Sequence, residues 1–182
     1  KSHPKSISPE IEWKFDFSMA ECIISKSLTN AQRHGFYVLK IMLDNIVHHL
    51  PFKTKHLKSV FLMTCEEIPP KAWAKNFSGC VLYVLDSLVT CLKERFLPHY
   101  FIPENNLLDC FRDDDVNTLC IIIEYIRIFP ASVIQIVGEK HGYKFAANLI
   151  KRLLSHAEDF SANKNFNVFV MELCLPLTVA TA

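Results

Sequence analysis

The chain has 182 residues, a length that suits one domain or one domain with an extension. Half of its residues are apolar and 14 are Phe, so the chain can bury a large core, whereas only four glycines disfavour a turn-rich β-sandwich or barrel. The formal net charge of +1 excludes a protein that coats nucleic acid over its whole surface, but it is compatible with a local basic patch.

The seven cysteines are scattered, and no two of them form a CxxC pair. This spacing excludes a compact zinc or redox motif and favours reduced thiols, which are typical of a cytoplasmic or a nuclear protein. No apolar run approaches the ~20 residues that span a bilayer, and no signal peptide is visible. Because the chain begins with Lys, we expect it to be a piece of a longer protein.

Two capping boxes are predicted near the start of the chain, after a linker at residues 1–11. Ser18 with Glu21 opens one helix, and Thr29 with Gln32 opens the next. The second helix carries apolar residues three and four positions apart, which gives it one buried face, and Pro51 ends it. The residues of this face are Phe36, Leu39, Leu43, Ile46 and Leu50.

A basic cluster follows in the segment PFKTKHLKSV, residues 51–60. Thr54 is predicted to cap a helix whose buried stripe is Leu57, Val60, Phe61 and Thr64. The lysines of the cluster have two interpretations: they are solvated and lie along the edge of the apolar stripe, or they bind an anion. Its lysines are Lys53, Lys55 and Lys58.

The rest of the pattern is also helical. After Trp73, a long helix is predicted from Ser78 to Phe96, followed by an ordered loop, HYFIPENNLL, and a helix that begins at the acidic run 113–115. Further helices are predicted at Pro130 and from Tyr143 to Ala157, and the tail after them is ambiguous between strand and helix. The predicted fold class is all-α, a compact bundle of six to eight helices. The apolar positions of the long helix are Val81, Leu85, Leu88, Leu92 and Phe96.

No catalytic or metal-binding motif is found in the sequence. The three acids at 113–115 have the residue type that holds magnesium, but consecutive carboxylates splay around a helix, and the helix dipole explains them without an ion. We therefore predict no catalytic residue and no metal site in this chain.

Four segments, taken in order, resemble the C-terminal helical domain of the male abnormal twenty-one (Mab) family, which includes cyclic GMP–AMP synthase. They are WKFDFSMAE (13–21), QRHGFYVLK (32–40), HLKSVFL (56–62) and HYFIPENNLL (99–108). The resemblance implies a linker from a preceding nucleotidyltransferase lobe at 1–11 and the helical domain at 12–110. Residues 111–182, most of which lie outside the resemblance, are predicted to form a helical extension. The zinc insertion of the synthase, which would fall between Glu21 and Lys40, is absent, so the resemblance does not extend to DNA sensing in the manner of the synthase.

The resemblance also implies site residues. Lys40, Thr54 and Lys55 match positions that approach nucleotides in the synthase, although Lys55 replaces a stacking aromatic residue, which weakens the expectation of base stacking. Lys53 and Lys58 are candidates for contact with phosphate or nucleic acid. The implied partners are the N-terminal lobe of the same protein and nucleotides or double-stranded RNA.

Two functions follow from the resemblance. The first is the helical lobe that closes a nucleotide cleft in a nucleic-acid sensor, which makes a cyclic dinucleotide with magnesium and ATP or GTP held in the full-length parent. The second is a non-catalytic interaction module of a family member that has lost activity. The retained Lys40 and the basic cluster favour the first function, whereas the missing aromatic residue at Lys55 and the near-zero net charge favour the second.

Overall fold

The computed structural model describes residues 16–47, 49–130, 133 and 137. These residues form six helices and one two-stranded antiparallel sheet, which confirms the predicted helical fold class. The helices are α1 (Ser18–Ser27), α2 (Asn30–Ile46), α3 (Thr54–Glu67), α4 (Pro70–Lys75), α5 (Phe77–Lys93) and α6 (Asp113–Ile128), and the strands are β1 (Pro98–His99) and β2 (Ile102–Asn106). No helix among the described residues is both long and apolar enough to cross a membrane.

The start of α1 differs from the prediction. Phe17, rather than Ser18, is the N-cap residue, and its carbonyl accepts the backbone N–H of Glu21 at 2.8 Å. The Asp16 carboxylate accepts the backbone N–H of Ser18 at 2.8 Å and also the Ser18 hydroxyl. The capping box predicted for Ser18 and Glu21 is therefore wrong, because Asp16 competes for the serine and Glu21 reaches another element.

The capping box predicted for α2 is confirmed. The Thr29 hydroxyl accepts the backbone N–H of Gln32 at 3.3 Å, and the Gln32 side chain accepts the backbone N–H of Thr29 at 2.9 Å. These two bonds satisfy backbone donors that a helix start leaves without intrahelical partners.

Replacing Thr29 with alanine should lower the free energy of unfolding by about 1 kcal/mol, the usual cost of losing an N-cap. Urea denaturation measures this change. Thr90→Ala is the matched control, since Thr90 is an exposed residue of α5 whose hydroxyl bonds the Asp86 carbonyl of the same helix, and it should change stability much less. Equal destabilisation of the two variants would contradict the role of the cap.

One hydrophobic core joins α2, α3, α4, α5 and α6. The predicted stripe of α3 is buried throughout, and so are Leu39 and Leu43 of α2 and the four leucine and valine positions predicted for α5. Trp73 of α4 is fully buried against the edge of Phe61, with the ring centroids 5.4 Å apart. The Trp73 ring also covers Gly35, where a Cβ atom would lie 2.6 Å from the indole. The short α4 therefore closes the core over α2 and α3.

The end of α5 and the segment after it differ from the prediction. The helix ends at Lys93 rather than Phe96, and Arg95 takes a left-handed conformation with φ of 57°. The predicted loop contains the two strands, with Pro98 opposite Asn106 and His99 opposite Ile102. The Asn106 side chain fixes this turn: it accepts the backbone N–H of Leu97 and donates to the Arg95 carbonyl, each at 2.9 Å. Periodicity alone did not indicate these side-chain bonds.

The acidic run lies in the first turn of α6, as predicted. Asp115 is paired with Arg112 at 3.0 Å, and this partner lowers the pKa of Asp115. Across the bundle, Arg127 of α6 bonds Asp86 of α5 at 2.7 Å. The predictions for residues 131–182 lie outside the described residues, except that Val133 and Val137 are buried.

Candidate phosphate-binding site

The basic cluster lies at the start of α3, where a histidine side chain, rather than a hydroxyl, bonds the backbone of the N-cap residue. Lys53 is the N-cap residue, and its backbone N–H donates to His56 Nδ1 at 2.7 Å. Thr54, predicted to be the cap, is the first helical residue and is half-buried. The correction has a physical reason: His56 takes the part that Glu or Gln plays at the third position of a capping box, while its own backbone N–H bonds the Lys53 carbonyl at 2.9 Å.

His56 is part of the core and not of the charged surface. Its ring lies 5.2 Å from the rings of both Phe52 and Phe111, and the side chain is 2% exposed. Burial, and secondarily the charge of Lys55, lowers the pKa of His56 to about 4. His56 is therefore neutral near pH 7 and contributes no positive charge to the cluster.

The lysines of the cluster differ in their partners. Lys53 and Lys55 are exposed, and neither has an ion pair among the described residues. Lys58 is half-buried and bonds Glu21 of α1 at 2.6 Å. Lys40 of α2 is paired with Asp44, one turn further along its own helix. Lys58 and Lys40 are thus already paired with carboxylates within the fold.

Lys55 also acts on the small sheet. Burial, followed by the charge of Lys55, lowers the pKa of His99 in β1, while Glu21 raises it. The bond between Glu21 and Lys58 and the contacts between α3 and β1 place these groups near one another. The structure brings the start of α3, strand β1 and helix α1 to one surface.

Aromatic rings form part of the same surface. Phe17, just before α1, stacks on Phe101 with centroids 4.7 Å apart and lies 5.4 Å from His99. Tyr100 is anchored to α3 by two bonds: its backbone N–H donates to the Ser59 hydroxyl at 3.3 Å, and its hydroxyl donates to Glu66. The contributions of α1 and β1 were missed in the sequence, because Glu21 suited a capping box and His99 stood in a segment interpreted as a loop.

Lys53 and Lys55 oppose the local electrostatics of the helix. The first turn of α3 contains no acidic residue, and these lysines lie at the end where the helix dipole is positive. Cations in this position cost about 0.3–1 kcal/mol each instead of stabilising the helix. Such a local conflict is expected at functional sites, where binding rather than stability determines the residue.

The described residues offer no metal site. They contain no group of three or more His, Cys, Asp or Glu side chains positioned to hold an ion. The six cysteines in this part of the chain form no disulfide with one another, and burial raises the pKa of Cys65 to about 12 and that of Cys80 to about 11. The arrangement can therefore attract an anion through Lys53 and Lys55, but it holds no activated thiol at these two cysteine positions.

Comparison with known proteins identifies the class of this fold. A family model described as "Mab-21 protein HhH/H2TH-like domain" matches residues 31–125, a little over half of the chain. The chain therefore belongs to the Mab-21 family and carries its C-terminal helical domain. This confirms the resemblance seen in the sequence motifs.

Two proteins illustrate the relationship. "Protein mab-21-like 3" of Danio rerio is 26% identical over 133 residues, which cover 70% of this chain and 34% of that protein. "Protein mab-21-like 3" of Xenopus laevis is 39% identical over 62 residues, covering 34% of this chain and 17% of that protein. The matches thus span about a third or less of the length of these relatives.

Proposed function

We propose that this chain is the helical lobe of a cyclic GMP–AMP synthase-like protein and closes one side of a nucleotide cleft, with the start of α3 meeting the phosphates. One observation carries the proposal: Lys53 and Lys55 are exposed, have no ion pair among the described residues, and stand at the positive end of a helix. Phosphate oxygens would satisfy these ammonium groups and the helix N-terminus together.

Each predicted site residue has a place in this proposal. Lys55 and Lys53 supply charge, and the Thr54 hydroxyl, in the first turn between them, is a further hydrogen-bond donor to phosphate. Lys40 lies on α2, which packs against α3, and would serve a second sub-site after exchanging Asp44 for a phosphate. Magnesium and ATP or GTP would need ligands from a nucleotidyltransferase lobe outside these described residues, and cyclic-dinucleotide synthesis would take place there.

The experiment is a titration of the 182-residue chain with GTP and with inorganic tripolyphosphate, followed by amide chemical shifts at two salt concentrations. Lys55→Ala should weaken binding about threefold to tenfold, the effect expected of removing one charge-assisted phosphate bond at a surface. Lys71→Ala is the matched control, since Lys71 is an exposed lysine of α4, a helix that contacts α2 and α5, and it should leave binding unchanged. Equal binding by the wild type and Lys55→Ala would sink the proposal.

Double-stranded RNA provides a second arm of the same experiment. If the cluster binds a duplex, Lys55→Ala should reduce the slope of log affinity against log salt by about 0.9 for each phosphate that the variant no longer neutralises. If Lys55→Ala weakens the binding of RNA but not that of GTP, the ligand of the basic cluster is a nucleic acid rather than a nucleotide. If Lys55→Ala weakens the binding of GTP and tripolyphosphate but not that of RNA, the result supports the nucleotide cleft.

The alternative function is a non-catalytic interaction module. It is favoured by an apolar stripe on α6, where Ile121, Tyr125 and Ile128 are exposed at spacings of four and three residues. A stripe with this spacing lies along one side of a helix and is typical of a protein-contact face. Wild-type chain that binds neither GTP, tripolyphosphate nor RNA would favour this function.

A further inference from the structure

We propose that Glu21 of α1 is an internal competitor that occupies Lys58 and thereby holds down the anion affinity of the basic surface. The inference rests on the proposed function of that surface. Lys58 is in the second turn of α3, beyond Lys55, and its ammonium group is bonded to the Glu21 carboxylate at 2.6 Å. A carboxylate oxygen here takes the place that a phosphate oxygen would take.

Helix α1 is only lightly attached to the body of the domain. None of its residues is fully buried, and Met19 and Ile23, one turn apart, are 77% and 65% exposed. Among the residues that the structure describes, its attachments include the Glu21–Lys58 pair, the partly buried Ile24 and Leu28, and the contacts of Phe17, just before the helix, with Phe101 and His99. Few buried contacts make an element easy to displace by local unfolding.

The pair itself is weak enough for a ligand to replace it. The side chains of Lys58 and Glu21 are 34% and 38% exposed, so water and salt screen their attraction. A polyphosphate carries several negative charges and would compete for Lys58 more effectively than one carboxylate does. Binding would then release Glu21 and add a third lysine to Lys53 and Lys55.

The test is a double-mutant cycle at Glu21 and Lys58, read by titration with GTP and tripolyphosphate. Glu21→Gln should raise affinity about twofold to fivefold, because it removes the competing charge while keeping the size of the side chain. Lys58→Ala alone should weaken binding less than it does in the Glu21→Gln background, because in the wild type the ligand gains Lys58 only by breaking its pair with Glu21. In the Glu21→Gln background the same Lys58→Ala change should remove the gain.

The control for net charge is Glu104→Gln, at an exposed position of β2, which should leave affinity unchanged. Amide hydrogen exchange gives an independent measure, and tripolyphosphate should speed exchange in α1 of the wild type.

If Lys55→Ala weakens binding but Glu21→Gln binds like the wild type, the competitor is excluded and the phosphate site stands. If neither variant differs from the wild type, both the site and the competitor are wrong. A gain in Glu21→Gln that survives Lys58→Ala also overturns the competitor.

Discussion

Replacing Trp73 with alanine is expected to lower the free energy of unfolding by about 3–5 kcal/mol, the cost of deleting a large aromatic side chain from a core. Trp73 is fully buried, lies edge-on to Phe61 and covers the backbone of α2 at Gly35. Its indole N–H has no hydrogen-bond partner among the described residues, so the destabilisation comes from packing. Urea denaturation measures it, with Phe96→Ala as the control, because Phe96 is an exposed aromatic residue.

The close approach of the Trp73 ring to Gly35 allows a second, more specific test of this packing. A methyl group at position 35 would lie 2.6 Å from the indole, so Gly35→Ala should destabilise the wild type. In the Trp73→Ala background the same methyl group would enter vacated space, and the cost should shrink or reverse. A coupling energy of about 1 kcal/mol or more is expected for residues that touch in this way. Equal costs in both backgrounds would show that Trp73 does not press on Gly35.

Acidification is expected to remove roughly 3 kcal/mol of stability through His56, from its pKa shift and about 1.36 kcal/mol per unit. The folded-state pKa of His56 is lowered from 6.5 to about 4 by burial and by Lys55. Between these two pH values the unfolded chain binds a proton that the folded chain does not. Stability is therefore full above pH 6.5 and falls as the pH drops toward 4. His99, whose pKa is also lowered, acts in the same direction.

Chemical denaturation across about pH 4–8 tests this prediction, together with the His56→Asn variant. Asn keeps an oxygen close to the position of Nδ1 that can accept the Lys53 N–H, but it does not titrate in this range. The variant should be less stable at neutral pH, because Asn has no ring to pack against Phe52 and Phe111, and its stability should depend less on pH. If the free energy of unfolding of His56→Asn depends on pH as steeply as that of the wild type, another group must titrate.

The sequence predicted those parts of the fold that depend on spacing along one helix. The stripe of α3, the capping box of α2 and the acids at the start of α6 all follow from residues within a few positions of one another. Helix ends set by distant side chains were not predictable in this way. Asn106 shapes the turn after α5 from a position 11 residues beyond Arg95. At the start of α1, Glu21 bonds Lys58, 37 residues away, while Ser18 bonds its near neighbour Asp16 instead of capping the helix.

The same distinction between local and distant contacts applies to the candidate site. The position of the lysines at the start of α3 was predictable from sequence, since they are neighbours in the chain. The availability of Lys58 was not, because the fold brings it to Glu21, 37 residues away. The pairing of Lys40 with Asp44, four residues along the same helix, is by contrast a local spacing that the sequence contains. The neutral state of His56 was equally hidden, since it results from burial between Phe52 and Phe111.

The most direct test of the central claim is thermal unfolding of wild type and Lys55→Glu at about pH 8, where His56 is neutral in both folded and unfolded chains, each with and without saturating tripolyphosphate. An acid in the first turn of α3 suits the helix dipole, so the ligand-free variant should gain about 0.5–1 kcal/mol. Tripolyphosphate should raise the melting temperature of the wild type and leave that of the variant unchanged. A variant that is stabilised by tripolyphosphate as much as the wild type would contradict a phosphate site at the start of α3.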